Sequence, residues 1–360
     1  MLSEAEIIAE LTAFIASQDA TEAAFDRLAL RLFAYQFEHN LLFRRFATQR
    51  GRTVRSVRTW RDIPAVPIAA FKDLTLCCRP PEAAQRVFMT SGTTRGGVRG
   101  KSFHTTLKIY DTSMATNFRN RVMAGRERIR MGVLFPNELA MPHSSLAHYL
   151  GLAVHNFGTP QSHYLIGENG LDEARLLSEL ERAETTGEPY ALLGASYGFV
   201  PLLDSLARCH RTFALPEGSW LLDTGGFKGQ TRDMPSEEFY GQLSAALGVP
   251  RRHCINMYGM TELSTQFYDS GNDICPSVKS GPHWIRTRAV DPLTGAEVRQ
   301  GTVGLLVHCD LAHFNMVSTI LTEDAGVEVD GGFLLLGRAD GAEAKGCSMA
   351  VEDFLLAAQG

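Results

Sequence analysis

A segment rich in glycine, hydroxyl side chains and cations most constrains what this chain can fold around. It reads FMTSGTTRGGVRGK and runs from Phe88 to Lys101. Glycines let backbone N–H groups approach a polyanion, hydroxyls donate hydrogen bonds, and cations offset its charge. The composition predicts a loop that wraps a polyphosphate, although an unliganded surface loop rich in Gly, Ser and Thr has the same composition.

The Walker A loop, G-x-x-x-x-G-K-[ST], is the first phosphate loop to compare with this segment. Gly100, Lys101 and Ser102 match its end, but Arg95 stands where its first glycine is required. An arginine cannot replace that glycine because its Cβ restricts the backbone. The segment is therefore not a Walker A loop.

The same segment resembles the T-S-G-T-T-G-x-P-K-G loop of adenylate-forming enzymes, the superfamily of acyl-CoA synthetases, luciferases and peptide-synthetase adenylation domains. The matching residues are Thr90, Ser91, Gly92, Thr93 and Thr94. Arg95 and Gly97 depart from the later glycine and proline of that loop. The resemblance implies that the matching residues and Lys101 bind the phosphates of ATP, with a different hold on the terminal phosphates.

Further segments resemble motifs of the superfamily in the same order, at residues 222–226, 256–262, 322–324 and 337–340. Matches that follow in order over most of the chain are difficult to obtain by chance. They imply an adenine and ribose site formed by Gly225, Gly226, Tyr258, Gly259, Met260, Asp324 and Arg338. They also imply that Thr261 orients the acyl phosphate and that Glu262 holds Mg²⁺ between the phosphates, so ATP and Mg²⁺ are the expected cofactors.

The end of the sequence resembles one branch of the superfamily. Only 20 residues follow Asp340, whereas full-length members carry a mobile C-terminal lid. That lid has about one hundred residues, the size of a small domain. We therefore expect the large domain without the lid. Residues 337–340 read Gly-Arg-Ala-Asp and resemble the G-R-x-D motif that precedes the lid. With Cys347 shortly after them, this ending resembles the acyl-protein synthetases of the LuxE type, relatives of the phenylacetate-CoA ligases. Residues 63–72 and 283–291 resemble them too, and the resemblance covers about Trp60 to Ala350.

This resemblance implies that the chain is a ligase that activates a carboxylic acid, fatty or aromatic. A carboxylate attacks the α-phosphate of ATP to give an acyl adenylate and pyrophosphate, which requires two anions to meet in line. Cys347 then takes the acyl group as a thiolate nucleophile and passes it to a partner, a reductase or carrier protein. The lid normally adds a lysine at the acyl phosphate. Lys72, Lys101 and Lys228 are candidates for that charge, and we favour Lys228 because it closely follows the adenine-framing glycines.

Two segments, Met141–Leu146 and Gly194–Phe199, hold the places of substrate-facing segments in relatives. We predict that the acyl group is lined by His143, Ser144, Gly194, Ala195 and Ser196. Their mixture of small and apolar residues suits a fatty chain or an aromatic ring. His143 could meet the carboxylate or cap a turn.

Other functions remain open at this point. An acyl- or aryl-CoA ligase would use coenzyme A or a carrier as acceptor, and a non-catalytic protein would only hold a nucleotide or carboxylate. Gly194-Ala195-Ser196-Tyr197-Gly198 also matches the G-x-S-x-G nucleophile elbow, with Asp223 and His253 in the chain order of α/β-hydrolases, but no H-G-G-G segment precedes it. Cys254, Cys275, His283 and Cys309 could converge on zinc, although no C-x-x-C pair supports that site.

The composition fits an enzyme free in the cytoplasm. The 360 residues are 44% hydrophobic and 21% charged, enough to bury a large core. A net charge of −5 does not favour a nucleic-acid partner. No apolar run reaches the roughly 18 residues of a membrane span, and the sequence does not begin with the pattern of a signal peptide. The seven cysteines lack the spacing of a disulfide framework, which indicates reduced thiols. We therefore expect a cytoplasmic protein with no membrane partner.

Apolar periodicity predicts an α/β fold with several layers. Helical patterns start at Ser3, with a Glu6 capping box, and after Asp19 or Thr21. Strand-like runs at residues 132–135, 190–193 and 220–222 alternate with helical patterns, whereas the region after Glu262 is β-rich. The expected domains are a helical segment over 1–60, the adenylate-forming large domain over 61–336, and a remnant of hinge and lid over 337–360.

Overall fold

The computed structural model describes residues 3–17, 21–91, 98–225, 234–339, 350–352 and 354–357. The α-helices are α1 (Glu4–Ala16), α2 (Glu22–His39), α3 (Leu41–Gln49), α4 (Ala70–Asp73), α5 (Lys108–Arg121), α6 (Ser145–Phe157), α7 (Glu173–Thr186), α8 (Phe199–Arg208) and α9 (Ser236–Leu247). Short 3₁₀ turns cover Trp60–Asp62, Pro81–Ala83, Ser196–Gly198 and Arg251–His253.

The strands alternate with these helices and then follow one another near the C-terminal end. They are β1 (Val66–Pro67), β2 (Arg86–Met89), β3 (Lys101–His104), β4 (Arg130–Leu134), β5 (His163–Tyr164), β6 (Ile166–Gly167), β7 (Gly170–Leu171), β8 (Tyr190–Ala195), β9 (Trp220–Thr224), β10 (Cys254–Tyr258), β11 (Phe267–Tyr268), β12 (Val278–Lys279), β13 (Ile285–Val290), β14 (Val303–Asp310), β15 (Thr319–Val329) and β16 (Gly332–Arg338). The predicted mixed α/β fold is therefore confirmed, whereas the absence of the lid stays a prediction.

The chain divides into two compact units. The first unit comprises residues 1–116, 260–266 and 280–360, and the second comprises residues 117–259 and 267–279. The chain thus passes from the second unit into the first between Gly259 and Met260, within the motif that carries Tyr258 and Glu262.

Side-chain caps start the N-terminal helices of the first unit where the sequence predicts them. The Ser3 hydroxyl accepts the Glu6 N–H while the Glu6 carboxylate accepts the Ser3 N–H, a complete capping box at α1. Thr21 caps α2 by accepting the Ala24 N–H at 3.2 Å. The apolar faces of both helices are buried, because Leu11 and Leu32 are among their fully enclosed side chains.

An antiparallel sheet and a hairpin form the β structure of the first unit. The strands β13, β14, β15 and β16 pair antiparallel in chain order, and β1 adds to β15 in parallel. The predicted polyphosphate loop connects the two strands of the separate β2–β3 hairpin, in which Met89 pairs with Lys101. Two hydrogen bonds extend the hairpin, since the Thr90 N–H donates to the Gly100 carbonyl and the Gly100 N–H donates to Thr90 Oγ1.

A mostly parallel sheet forms the centre of the second unit, in the order β11-β10-β9-β8-β4-β5. Only the edge strand β11 runs antiparallel to its neighbour. Every residue of β8 and β9 is buried, as expected for parallel strands covered on both faces. The chain leaves β4 for β5 on one side and later adds β8 on the other, so the strand order reverses at β4. In open α/β sheets, ligands bind at such a point, beyond the carboxyl ends of the strands.

Candidate active site

Glu262 lies in a tight turn of the first unit. The Leu263 N–H donates to the Met260 carbonyl at 3.1 Å, which makes Thr261 and Glu262 the two central residues of the turn. Glu262 is 4% exposed, and burial raises the pKa of its carboxyl to about 7, while the charges of Arg338 and Lys72 act in the opposite direction. Among the described residues, its carboxylate accepts a hydrogen bond only from its own backbone N–H. Such a carboxylate is available to a cation.

The polyphosphate hairpin and Glu262 meet at Gly100. A Cβ built on Gly100 would lie 3.0 Å from Glu262 Oε1, 3.2 Å from Thr90 Cγ2 and 3.6 Å from the Cβ of Phe71. A real side chain at this position would therefore push against the carboxylate and the threonine. The packing of the first unit thus brings together two motifs that are about 170 residues apart in sequence. The predicted site residues Thr90 and Glu262 become neighbours.

The small space at Gly100 leads to a prediction for Gly100→Ala. The added methyl displaces the Glu262 carboxylate or the Thr90 side chain, so adenylation should fall about tenfold or more, since small misplacements of catalytic groups are costly. Gly167→Ala is the matched control, because nothing lies within 4 Å of a Cβ there. Pyrophosphate exchange rates of the two variants test this expectation, and equal rates would show that Gly100 is not part of the site.

Positive charge near Glu262 comes from α4 and β16. The Lys72 and Arg338 charges both act on the Glu262 carboxyl, whereas the Glu323 charge opposes them. Arg338 lies beside two acidic residues, with Nη1 2.8 Å from the Glu323 carboxylate and Nε 3.4 Å from the Asp324 carboxylate. Asp324 and Arg338 are also direct partners in the β15–β16 register. The predicted ribose-binding pair is therefore adjacent in the structure, and Glu323 adds a negative charge beside it.

The predicted adenine-framing residues lie at the carboxyl ends of β9 and β10 in the second unit. Gly225 directly follows β9 and has a φ of +79°, a conformation that favours glycine. No atom of the described residues lies within 4 Å of a Cβ built there. Tyr258 is the last residue of β10, and its ring centroid lies 5.9 Å from that of Phe267. The backbone conformation, rather than close packing, therefore explains the glycine at position 225.

A buried carboxylate joins the ends of three neighbouring strands in the second unit. Asp223 accepts hydrogen bonds from Ser196 Oγ at 2.6 Å, from the Tyr240 hydroxyl at 2.9 Å and from Asn256 Nδ2 at 2.9 Å. Burial raises the pKa of Asp223 to about 6, and these donors partly offset that effect. This cluster fixes the turn after β8 against the segment that holds Gly225.

The nucleophile-elbow interpretation of Gly194–Gly198 is wrong in this structure. Ser196 Oγ donates directly to Asp223, and among the described residues no imidazole accepts its proton, as a Ser-His-Asp triad requires. The glycines have a steric reason instead. A Cβ on Gly194 or Gly198 would lie 2.6 or 2.4 Å from the Leu134 carbonyl oxygen, a backbone atom that cannot move aside cheaply.

We therefore expect Gly198→Ala to destabilise the fold by about 2–3 kcal/mol, as for other overpacked buried positions. Gly198 has φ −71° and ψ −21°, so the backbone accepts alanine and only the contact with Leu134 opposes it. Gly241→Ala in α9 is the control, because open space surrounds its Cβ and alanine favours helix. Thermal unfolding should show a lower midpoint for the first variant and an equal or higher midpoint for the second.

The remaining substrate-site predictions have mixed surroundings. Ser144 caps α6 by accepting the Ala147 N–H, His143 is exposed, and Gly194, Ala195 and Ser196 are buried. Both segments follow β4 or β8, at the reversal point of the sheet where a ligand is expected.

Six predicted site residues lie outside the described part of the chain: Gly92, Thr93, Thr94, Gly226, Lys228 and Cys347. Ser91 is described and exposed, and Lys101 is exposed at the start of β3.

The cysteines proposed for zinc have other surroundings. The described residues contain no group of three or more His, Cys, Asp and Glu side chains that could hold a metal ion. Burial raises the pKa of the Cys254 and Cys309 thiols to about 12, so both stay protonated at neutral pH. Cys254 Sγ instead donates to the Pro250 carbonyl.

Comparison with known proteins identifies the family of this chain. The family model described as acyl-protein synthetase, LuxE, matches residues 2–356. The chain belongs to the LuxE acyl-protein synthetase family. Two curated relatives are each called long-chain-fatty-acid–luciferin-component ligase. The one from Vibrio harveyi is 22% identical over 306 residues, which cover 84% of this chain and 78% of that protein. The one from Aliivibrio fischeri is 20% identical, with the same coverage. The predicted ligase class is thereby confirmed.

Solved structures of adenylate-forming enzymes share the fold of this LuxE-family chain. A 2-hydroxyisobutyryl-CoA ligase bound to its acyl adenylate and CoA superposes with a TM-score of 0.64 at 15% identity, over 89% of this chain and 77% of that one. ATP-bound MatB from Rhodopseudomonas palustris has a TM-score of 0.50 at 15% identity, over 72% of this chain. The chain spans about half of MatB, 49% of its length. These likenesses confirm the predicted superfamily fold.

The described part of the chain contains no helix long and apolar enough to cross a membrane.

Proposed function

We propose that this LuxE-family ligase uses ATP and Mg²⁺ to convert a long-chain fatty acid to an acyl adenylate, with release of pyrophosphate. The Cys347 thiolate then attacks the acyl carbonyl, AMP leaves, and a partner protein receives the acyl group from the resulting thioester. One observation carries this proposal. The hairpin that holds the polyphosphate loop and the turn that holds Glu262 come together at Gly100. The names of the curated relatives support a fatty acid as the substrate.

The residues around Glu262 fit a nucleotide-bound magnesium ion. The carboxylate is a hard oxygen ligand of the kind Mg²⁺ prefers, and phosphate oxygens usually complete its coordination. Gly100 has no side chain that would push against Glu262 Oε1, which would lie 3.0 Å from a Cβ at that position. When bound, the ion would neutralise the charge of the phosphates.

Side chains of the protein would bind and orient the two anions that react, the fatty acid carboxylate and the α-phosphate of ATP. Thr90 and Ser91 follow β2, and their hydroxyls would donate to phosphate oxygens. Thr261 lies beside Glu262 in the same turn and would orient the acyl phosphate. The sequence resemblance assigns the adenine ring to Gly225 and Tyr258 and the ribose hydroxyls to Asp324. Preorganised groups of this kind stabilise developing charge without reorganising.

We further propose that Lys72 supplies the cation that the lid lysine supplies in full-length enzymes. Phe71 packs at the Gly100 position, and the charge of Lys72, the next residue of α4, acts on the Glu262 carboxyl. Lys101 is exposed at the start of β3, and Lys228, which the sequence favours, lies outside the described residues. The surroundings of Glu262 therefore support Lys72 over Lys101.

Lys72→Met should lower the adenylation rate by roughly one to two orders of magnitude, because a preorganised charge at the transition state is lost. Lys108→Met is the control, since Lys108 is exposed on α5. Pyrophosphate exchange at saturating ATP and acid measures the effect. A normal rate for Lys72→Met would return the role to Lys228.

The described residues on either side of Cys347 support a role near Glu323. The Ala339 N–H donates to the Glu323 carbonyl at 2.9 Å, and Val351 lines a small cavity together with Thr322 and Glu323. In the sequence, Ala339 comes eight residues before Cys347 and Val351 comes four residues after it. Both described residues lie beside Glu323, whose charge acts on Glu262.

An ATP–pyrophosphate exchange assay across a panel of acids tests the proposed function. We expect exchange with long-chain fatty acids that needs neither coenzyme A nor a partner protein, and little exchange with short or aromatic acids. Exchange only with aromatic acids together with CoA consumption would support an aryl-CoA ligase. The absence of exchange with every acid would contradict the proposal and favour a protein that only binds nucleotide.

A further inference from the structure

We propose that Asp310 is a positioning residue for the adenylation reaction, because it anchors the turn that carries Thr261 and Glu262. This inference rests on the proposed function. Asp310 is the last residue of β14, and it has no counterpart among the sequence motifs discussed above. It is completely buried in the first unit, which also contains residues 260–266.

The contacts of Asp310 converge on the residues just after Glu262. Its Oδ2 accepts the backbone N–H groups of Ser264 at 2.8 Å and Thr265 at 2.9 Å. Its Oδ1 accepts the Thr265 hydroxyl at 2.7 Å and the Ala312 N–H at 2.9 Å. One carboxylate therefore holds two successive peptide groups, the first of them only two residues from Glu262.

A second layer of hydrogen bonds fixes the same turn. The indole N–H of Trp284 lies 2.9 Å from Ser113 Oγ and 3.1 Å from Thr265 Oγ1. The Ser264 hydroxyl lies 2.9 Å from Nδ1 of His313. All of these groups are buried, so each hydrogen bond is made away from competing water.

The position of Asp310 explains how Glu262 can be held although no other described residue donates a hydrogen bond to its carboxylate. The position of this carboxylate therefore depends on the packing and the backbone of its turn. Asp310 supplies that support from β14, whose backbone is fixed by pairing with β13 and β15. Loss of the Asp310 charge should therefore loosen Glu262 while leaving its chemistry unchanged.

Asp310→Asn tests this inference. The amide keeps the size of the carboxylate, but its NH₂ group cannot accept the hydrogen bonds that one oxygen now accepts. We expect the Kd of the protein for a non-hydrolysable ATP analogue to rise about tenfold in the presence of Mg²⁺. Replacing other residues that orient a metal ligand has an effect of this size. In EDTA the Kd should equal that of the wild type. Calorimetric titration measures both values.

Asp62→Asn is the matched control. Asp62 also accepts two successive backbone N–H groups with one oxygen, from Arg58 at 3.0 Å and Thr59 at 3.1 Å, at a turn far from Glu262 in sequence. It should lower thermal stability without changing Mg²⁺-dependent binding. An equal loss of binding in EDTA and in Mg²⁺, or no loss with Asp310→Asn, would overturn the inference.

Two further measurements keep the test decisive. If Asp310→Asn does not fold, Thr265→Val removes one of the bonds to Asp310 and leaves Trp284 paired with Ser113. It should give a smaller Mg²⁺-dependent loss, and wild-type binding by this variant would overturn the inference. If the wild-type protein shows exchange activity, a double-mutant comparison adds a second test. Asp310→Asn should lower the exchange rate much less in a Glu262→Gln protein than in the wild type, because the two residues act as a unit. A wild-type protein that binds Mg²⁺-ATP analogue but shows no exchange would refute the proposed function and leave this binding test standing.

Discussion

Glu262→Gln is expected to reduce fatty acyl adenylation by about three orders of magnitude, because a hard anionic ligand is replaced by a neutral amide at a metal ion. The fold should be preserved. Burial already raises the pKa of this carboxyl to about 7, so a neutral glutamine removes a charge that is costly to bury. We therefore expect an unchanged or slightly higher unfolding midpoint together with a collapse of pyrophosphate exchange.

Glu179→Gln is a contrasting control for that variant. Glu179 is also buried, but it pairs with Arg130 at 2.5 Å and Arg182 at 3.1 Å in the second unit. Its replacement removes the carboxylate from Arg130 and leaves Arg182 with Glu188 alone, so the unfolding midpoint should fall while exchange stays normal. A Glu262→Gln protein with near-normal exchange would remove Glu262 from the metal site.

Cys347→Ser is expected to abolish the covalent acyl-protein while leaving pyrophosphate exchange intact. The first step uses residues around Glu262, whereas the second needs a thiolate, and a serine hydroxyl is not ionised at neutral pH. Wild-type protein incubated with ATP and a radiolabelled fatty acid should carry label that hydroxylamine releases. The serine variant should carry none.

Cys209→Ser serves as the control for labelling at Cys347. Cys209 is an exposed free cysteine at the end of α8, and its replacement should leave the label unchanged. Label that persists on Cys347→Ser would show that another residue accepts the acyl group. Loss of exchange in the same variant would instead show that Cys347 takes part in adenylation.

Local patterns in the sequence were sufficient to predict much of the fold. The capping box at Ser3 and the cap at Thr21 depend on neighbours three residues away, so the starts of α1 and α2 could be read directly. The apolar runs that became β4, β8 and β9 are long enough to identify buried strands. The superfamily motifs likewise located Thr90 and Glu262, which the fold brings together.

Features that depend on long-range packing could not be predicted. The Gly194–Gly198 motif suggested a nucleophile, but its glycines are explained by the Leu134 carbonyl of a neighbouring strand. Asp310 is one of 40 acidic residues in the sequence, and only the folded chain shows that it holds Ser264 and Thr265. The nearness of Lys72 to Glu262 depends in the same way on how α4 packs against the hairpin.

The fate of ATP in Cys347→Ser protein tests the central claim most directly. The variant is mixed with a long-chain fatty acid, Mg²⁺ and ATP labelled at the α-phosphate, and the reaction is quenched after a single turnover. We predict a labelled fatty acyl adenylate, stoichiometric with the enzyme and accompanied by an equal amount of pyrophosphate, because the thiol that would consume it is missing. Release of ADP and phosphate, with no acyl adenylate, would contradict the account.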